Sequence, residues 1–377
     1  MLTAYWVCAV IVAAARVSRI GSDETVGVQK LHHRAVPRLG GVAVFVALIA
    51  GLLSLAWATQ FYKQQAAFLV VALLPAFGMG LVEDLTRRAG IVSRLVATMV
   101  SAGLGWWLFS AGLNRIGWDV ADHYLATHAA AGFIMTMLAA AGSAQAVNII
   151  DGCHGFSGFF VFAAMAALAV VAGMVGDSFV CFTAVLTASA VAGFLLWNFP
   201  RGKVFLGDAG AYMLGFLIAQ LSMILMTRHP EMSPWCPMLI MAYPAWETLF
   251  SMYRRAHLGL REMGKPDARH LHQLVYFRVF KWQPEHGGRE ARDIRSAATS
   301  MALWPLMLMC IVPAVLFWKE SHVLFWLCWL FAITYTVIYM AIVRFKVPPL
   351  IGNVLARRLP RARKPAAVLG GAQQVQN

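Results

Sequence analysis

The sequence predicts an all-α, polytopic integral membrane protein of about eleven transmembrane helices, with its amino terminus outside and its carboxyl terminus cytoplasmic. Three observations carry that prediction. Of the 377 residues, 60% are hydrophobic and only 13% charged. Apolar runs close to the ~20 residues that cross a bilayer recur along the chain. Lys and Arg alternate between connections: the even-numbered ones hold only Lys63, Arg115, Arg228 and Lys319 of the 31 cationic residues. Loops rich in Lys and Arg stay in the cytoplasm, which sets the orientation. Open sheets are excluded in lipid because their backbone groups would go unsatisfied.

The runs lie near 2–18, 39–59, 66–83, 91–111, 129–149, 156–176, 178–198, 209–227, 235–253, 297–317 and 322–343. The first is marginal in length and sits where a signal peptide would. It lacks a basic leading region and an A-x-A cleavage site, so an uncleaved anchor is expected. The remaining runs form one membrane domain within 1–343, interrupted by a single long hydrophilic insertion, 254–296, on the cytoplasmic side. A basic segment, 344–377, follows, with Arg357, Arg358, Arg361, Arg363 and Lys364 placed to lie on lipid headgroups.

The net charge of +14 reflects this topology together with an anionic leaflet or a phosphorylated substrate. No nucleic-acid-reading module is recognisable, so nucleic acid is not an expected partner. The six cysteines form no CxxC pair, and only Cys153 lies outside the apolar runs, which argues against a disulfide framework or a zinc site. No internal repeat of the kind many transporters carry is visible.

The few acids are the functional signal. A charged side chain at a helix centre in lipid costs ~2.5–3.5 kcal/mol on insertion scales and less near the edge. Glu83, Asp84, Asp151 and Asp208 fall at the ends of apolar runs, on the cytoplasmic side. Five segments follow in chain order. In the first connection, Lys30, His32, His33, Arg34 and Arg38 crowd before Gly40-Gly41; they form either a phosphate-receiving loop or an ordinary positive-inside flank. In Gly80-Leu-Val-Glu-Asp-Leu-Thr-Arg-Arg88, adjacent acids cannot share a helix face, so one can pair with arginine while the other meets a ligand. In Asn148-Ile-Ile-Asp-Gly-Cys-His-Gly155, Asn148 and Asp151 share a face that favours a polar cavity.

The fourth segment, Asn198-Phe-Pro-Arg-Gly-Lys-Val-Phe-Leu-Gly-Asp-Ala-Gly-Ala211, is the most specific. It supplies Arg201 and Lys203, then Asp208 at the start of a span, where free N–H groups and small residues admit an anion. A carboxylate beside an anion makes sense if a divalent cation bridges them; the alternative is that Asp208 caps the helix. In the fifth, Lys265-Pro-Asp-Ala-Arg-His-Leu-His272, the pair His270 and His272 could bind phosphate, or sit solvated in a loop. Upstream, Glu247 within an apolar run is expected to face the bundle interior.

Together and in order, across roughly 28–272, these segments resemble the polyprenyl-phosphate N-acetylhexosamine-1-phosphate transferases, nearer the O-antigen and common-antigen initiators than the peptidoglycan branch. Glu83-Asp84 matches the family's paired-aspartate motif, Asn148 and Asp151 its N-x-x-D-G motif, Asp208 its Mg²⁺-binding aspartate, and His270 and His272 its histidine motif. Glu247-Thr248 resembles an acidic-Thr pair ahead of that loop. The resemblance implies transfer of a sugar phosphate from a UDP-N-acetylhexosamine, UDP-GlcNAc by default, to undecaprenyl phosphate at the bacterial inner membrane. Glu83, Asp84, Asp151, His270 and His272 would be catalytic. Lys30, Arg38, Asn148, His154, Arg201, Lys203 and Glu247 would meet substrate. Mg²⁺ is the implied metal, with Mn²⁺ as a substitute; homodimerisation stays open. Three positions depart from the family pattern: Glu83 replaces an Asp, His154 an Asp or Asn, and Ala211 a Ser. They bear on sugar preference and activity, and leave an inactive member or a nucleotide-sugar or lipid-linked carrier as the alternative readings.

Overall fold

A computed structural model describes residues 1–18, 36–257, 269–280 and 288–344. Among them the architecture is all-helical. In order the helices are α1 (Leu2–Ser18), α2 (Gly40–Thr59), α3 (Lys63–Thr86), α4 (Ile91–Phe109), α5 (Asp119–Thr127), α6 (Ala129–Ile149), α7 (Phe156–Val175), α8 (Ser178–Asn198), α9 (Gly207–Arg228), α10 (Trp235–Ile240), α11 (Ala242–Ala256), α12 (Leu271–Leu274), α13 (Gly288–Leu316) and α14 (Ser321–Val343). This is a multi-pass membrane protein: nine of these helices are long and apolar enough to cross a bilayer.

That number falls short of the expected eleven for two reasons. Helix α1 has 17 residues. The run 235–253 divides at Met241 into α10 and α11. Pro244 lies in the first turn of α11; it has no N–H, and its ring opposes a helix continuing through Ile240. The insertion 254–296 also holds more structure than expected, with α12, a π turn over Val275–Val279 and the first turns of α13. The short α5 joins α4 to α6 and was not anticipated.

Helix α9 is the axis of the bundle. Its spanning window is wholly buried, so it is surrounded by protein rather than lipid. Small residues make this possible, because packing rather than hydrophobicity drives helix association in a bilayer. A Cβ on Gly41 of α2 would lie 2.2 Å from the Gly210 nitrogen, and one on Gly80 of α3 would lie 2.5 Å from the Ala209 Cα. Both helices therefore touch the first turn of α9 backbone to backbone. In α3, Pro75 leaves a local gap in the hydrogen-bond ladder, and the Ala76 N–H donates instead to Ser101 Oγ of α4 at 3.0 Å.

The starts of α2, α4, α7 and α9 and the ends of α3, α6 and α8 meet at one end of the bundle, through the contacts described below. The first residues of α1 also pack near this end: a Cβ on Gly193 would lie 2.3 Å from the Met1 carbonyl oxygen, and Tyr5 meets Trp197 with ring centroids 5.4 Å apart.

Candidate active site

The centre forms where α9 begins. Gly207 has a φ of +77°, a conformation glycine adopts without penalty; a Cβ there would also strike the Arg38 carbonyl at 2.1 Å. This turn points the first N–H groups of α9 at Asp84. The N–H groups of Asp208 and Ala209 donate to Asp84 Oδ1 and Oδ2, each at 2.9 Å. The anion at this helix start is thus the protein's own carboxylate, reaching across from the last turn of α3. Glu83 serves a different end: its Oε2 accepts the Ala89 N–H at 2.9 Å and closes the turn after α3.

Asp208 gathers cations. Its Oδ1 accepts from Arg38 Nη2 at 2.8 Å and from Asn148 Nδ2 at 3.1 Å, and its Oδ2 accepts from Arg94 Nη1 at 2.9 Å. Arg38 also lies 3.5 Å from Asp84 Oδ1 through its Nε. Arg38 is held in place by its backbone: Pro37 accepts from the Phe205 N–H, and the N–H groups of Gly40 and Gly41 donate to Phe205 and Leu206. The Asp208 side chain is 6% exposed, whereas those of Arg38 and Arg94 are 26% and 21% exposed. Both arginine side chains therefore remain partly exposed. Arg94 was not singled out in the sequence; its signal is a lone cation one turn into an apolar run.

Asp151 occupies the turn between α6 and α7. It accepts from Ser157 Oγ at 2.5 Å. Burial pushes its carboxyl up to about 6, opposed by the Ser157 hydroxyl, the Arg38 charge and the Gly207 N–H. Asp84, Asp151 and Asp208 thus surround Gly207, as the sequence motifs suggested they would converge. Asn198 ties this turn to the loop before α9: its Oδ1 accepts the Gly155 N–H at 2.6 Å, and its Nδ2 donates to the Val204 carbonyl at 2.8 Å. His154 packs into the same loop. Its Nδ1 lies 3.1 Å from the Pro200 carbonyl oxygen, and its N–H donates to Ser296 Oγ. Arg201 and Lys203 are exposed on the loop, with the Lys203 ammonium 5.1 Å from the Trp197 ring centroid. Neither reaches Asp208, whose cations are Arg38 and Arg94. Lys30 lies outside the described residues.

The histidine pair stands beside the Asp151 turn. A Cβ on Gly152 would lie 2.3 Å from His272 Nε2. The rings of His270 and His272 are parallel, with centroids 5.7 Å apart. His270 Nδ1 lies 3.0 Å from Glu247 Oε1. Glu247, expected to meet substrate, is instead 1% exposed and bound by the protein itself, including Tyr335 of α14 at 2.7 Å. Nothing in the sequence around Tyr335 marks it, since it is one of several aromatics in an apolar run.

The donor set suits a hard cation. Among the described residues no three His, Cys, Asp or Glu side chains form a metal cage, but Mg²⁺ ordinarily uses one or two carboxylates and completes its shell with phosphate oxygens and water. Asp208, with Asp151 near by, meets that description. In this structure two guanidiniums hold the position of positive charge at Asp208.

Residues 66–226 match the family model described as glycosyl transferase family 4. Among similar proteins, a "Probable undecaprenyl-phosphate N-acetylglucosaminyl 1-phosphate transferase" of Bacillus subtilis is 26% identical, over 68% of this chain and 70% of its own. An "Undecaprenyl-phosphate alpha-N-acetylglucosaminyl 1-phosphate transferase" of Thermotoga maritima is 25% identical over 68% and 73%. A "Decaprenyl-phosphate N-acetylglucosaminephosphotransferase" of Mycobacterium tuberculosis is 26% identical over 68% and 70%. The matched region contains Asp84, Arg94, Asn148, Asp151 and Asp208, all of which meet around the start of α9. By motif order, matched region and relatives alike, the chain is similar to glycosyl transferase family 4, and the similarity covers the residues that build this centre.

Proposed function

We propose that this protein transfers N-acetylglucosamine 1-phosphate from UDP-N-acetylglucosamine to undecaprenyl phosphate, at the cytoplasmic face of a bacterial inner membrane. One observation carries the reading: three carboxylates and two guanidiniums converge at one end of a membrane bundle, where a water-soluble donor and a lipid acceptor can both arrive. The relatives' names agree on N-acetylglucosamine and differ only in the polyprenyl acceptor.

In the reaction a phosphate oxygen of the lipid bonds to the β-phosphorus of the donor, the bond to the α-phosphate oxygen breaks, and UMP leaves. A phosphate monoester has its second pKa near 6, so at neutral pH the nucleophile is largely ionised already and needs little help from a base. The main task is to bring negative charges together. Arg38 and Arg94, each partly exposed, supply charge to the phosphates while Asp84 fixes the helix start that presents Asp208. Asp208, with Asp151 near by, would hold Mg²⁺, or Mn²⁺ in its place, which would supply further charge neutralisation at the pyrophosphate. Asp151 is placed to orient a phosphate or to take a proton.

The test is transfer of label from a panel of UDP-sugars into solvent-extractable lipid by purified protein supplied with undecaprenyl phosphate. Labelled lipid from UDP-N-acetylglucosamine and not from UDP-glucose is the expected result. Binding of UDP-sugar without any labelled lipid would favour a carrier or an inactive member.

A further inference from the structure

We propose that Glu247, held in turn by Tyr335 and Tyr243, is a positioning residue for the His270–His272 pair; its role in catalysis rests on the transferase reading above. All five of these residues, Tyr243, Glu247, His270, His272 and Tyr335, lie beyond the matched region that ends at residue 226.

The carboxylate of Glu247 is filled by protein donors. Its Oε1 lies 3.0 Å from His270 Nδ1 and accepts the Leu271 N–H at 3.1 Å. Its Oε2 accepts the hydroxyls of Tyr335 at 2.7 Å and Tyr243 at 3.4 Å. An ionised carboxylate offers about four lone-pair sites, and these partners use them. Glu247 therefore acts through its neighbours and not on substrate. It joins three elements: α11, which carries it, the start of α12, which it pins by backbone and ring together, and α14, which supplies Tyr335.

A carboxylate against Nδ1 keeps a proton on that nitrogen, which sets the ring's orientation and the character of Nε2. His270 passes this constraint on. Its ring is parallel to that of His272, and His272 rests on Gly152, the residue after Asp151. Other groups hold the same segment by its backbone. Arg254 and Tyr339 both donate to the Arg269 carbonyl, and the Gln273 side chain accepts the His270 N–H. The histidine pair is thus fixed against the Asp151 turn before any substrate arrives, as preorganised charge requires.

Glu247→Gln separates charge from packing, because an amide can occupy the same place and still accept from His270 and Leu271. Tyr335→Phe removes one hydroxyl and leaves the ring among Tyr243, Phe250, Phe331 and Tyr339. Full-length protein labelled with ¹⁵N-histidine, with His270 assigned by His270→Asn, reads the protonated ring nitrogen directly. The wild type should carry the proton on Nδ1, and Glu247→Gln should move part of the population to Nε2–H. Turnover in Glu247→Gln should fall about 10–100-fold, with KM for the UDP-sugar little changed. Tyr335→Phe should lose about fivefold in turnover and shift the His270 signal in the same direction. An unchanged His270 tautomer in either variant would overturn the proposal, as would wild-type turnover in both. Should Glu247→Gln fail to fold, Tyr335→Phe decides by the same two readouts. A wild type that turns over no UDP-sugar would count against the transferase reading, while the tautomer comparison would still judge the positioning.

Discussion

Asp84 and Asp208 are neighbours in space with opposite tasks. Asp84 accepts two backbone N–H groups at the start of α9, while Asp208 accepts from two guanidiniums. Asp84→Asn should therefore weaken a helix cap, at a cost of about 1 kcal/mol, and lower turnover without abolishing it; thermal unfolding and UMP release measured together check both. Arg94→Gln should reduce stability by about 1–2 kcal/mol, since it removes a charge-assisted hydrogen bond from a buried carboxylate. Its turnover should fall as well, and a surface substitution such as Arg88→Gln is the control. Asp151 gives a pH test. Its carboxyl is raised from 3.8 to about 6, so the folded chain holds this proton more tightly than the unfolded chain does. Its ionisation then disfavours folding as pH rises through about 6 and is harmless below about 4. Asp151→Asn should accordingly raise the melting temperature more at pH 7.5 than at pH 4.5. The acids were legible at this scale because charge is rare in an apolar sequence. Two of their partners were not: Arg94 and Tyr335 gain meaning only from helices that pack beside them, whereas Arg38 and Asn148 stood out in the sequence.

At the scale of elements, every apolar run formed helix, because a backbone in lipid must satisfy itself. Lengths were less legible. Composition made 235–253 one span, and Pro244 broke it; the break sets Glu247 on a short helix that faces the histidine segment. The insertion 254–296 reads as hydrophilic overall, yet the turns over 271–280 are mostly apolar and largely buried, and they pack beside the site. Glycines at the α9 contacts offer a paired test within one helix. Gly80→Ala places a methyl 2.5 Å from the Ala209 backbone, whereas Gly78→Ala meets nothing within 4 Å. Gly80→Ala should destabilise by about 1–3 kcal/mol and reduce turnover by pulling Asp84 off the start of α9. Gly78→Ala should be neutral or slightly stabilising. Equal melting temperatures for the two would contradict the close approach of α3 to α9.

For the whole molecule, alternating cations and the order of five motifs foretold which helix ends would meet, and the ends of α3, α6 and α8 do meet the starts of α2, α4, α7 and α9. Tertiary choices lay beyond sequence. Two of the expected cations, Arg201 and Lys203, stay on a surface loop, because Asn198 and His154 tie that loop down by its backbone. The central claim is that the acid–guanidinium centre around Asp208 carries out a metal-dependent phosphoryl transfer. The most direct test is UMP release by wild type and Asp208→Ala in membranes supplied with undecaprenyl phosphate and UDP-N-acetylglucosamine, with Mg²⁺ and then with EDTA. Wild type should release UMP only with lipid and metal together, and Asp208→Ala should release none above background. Release by the variant at the wild-type rate, or release by wild type that EDTA leaves untouched, would contradict the claim.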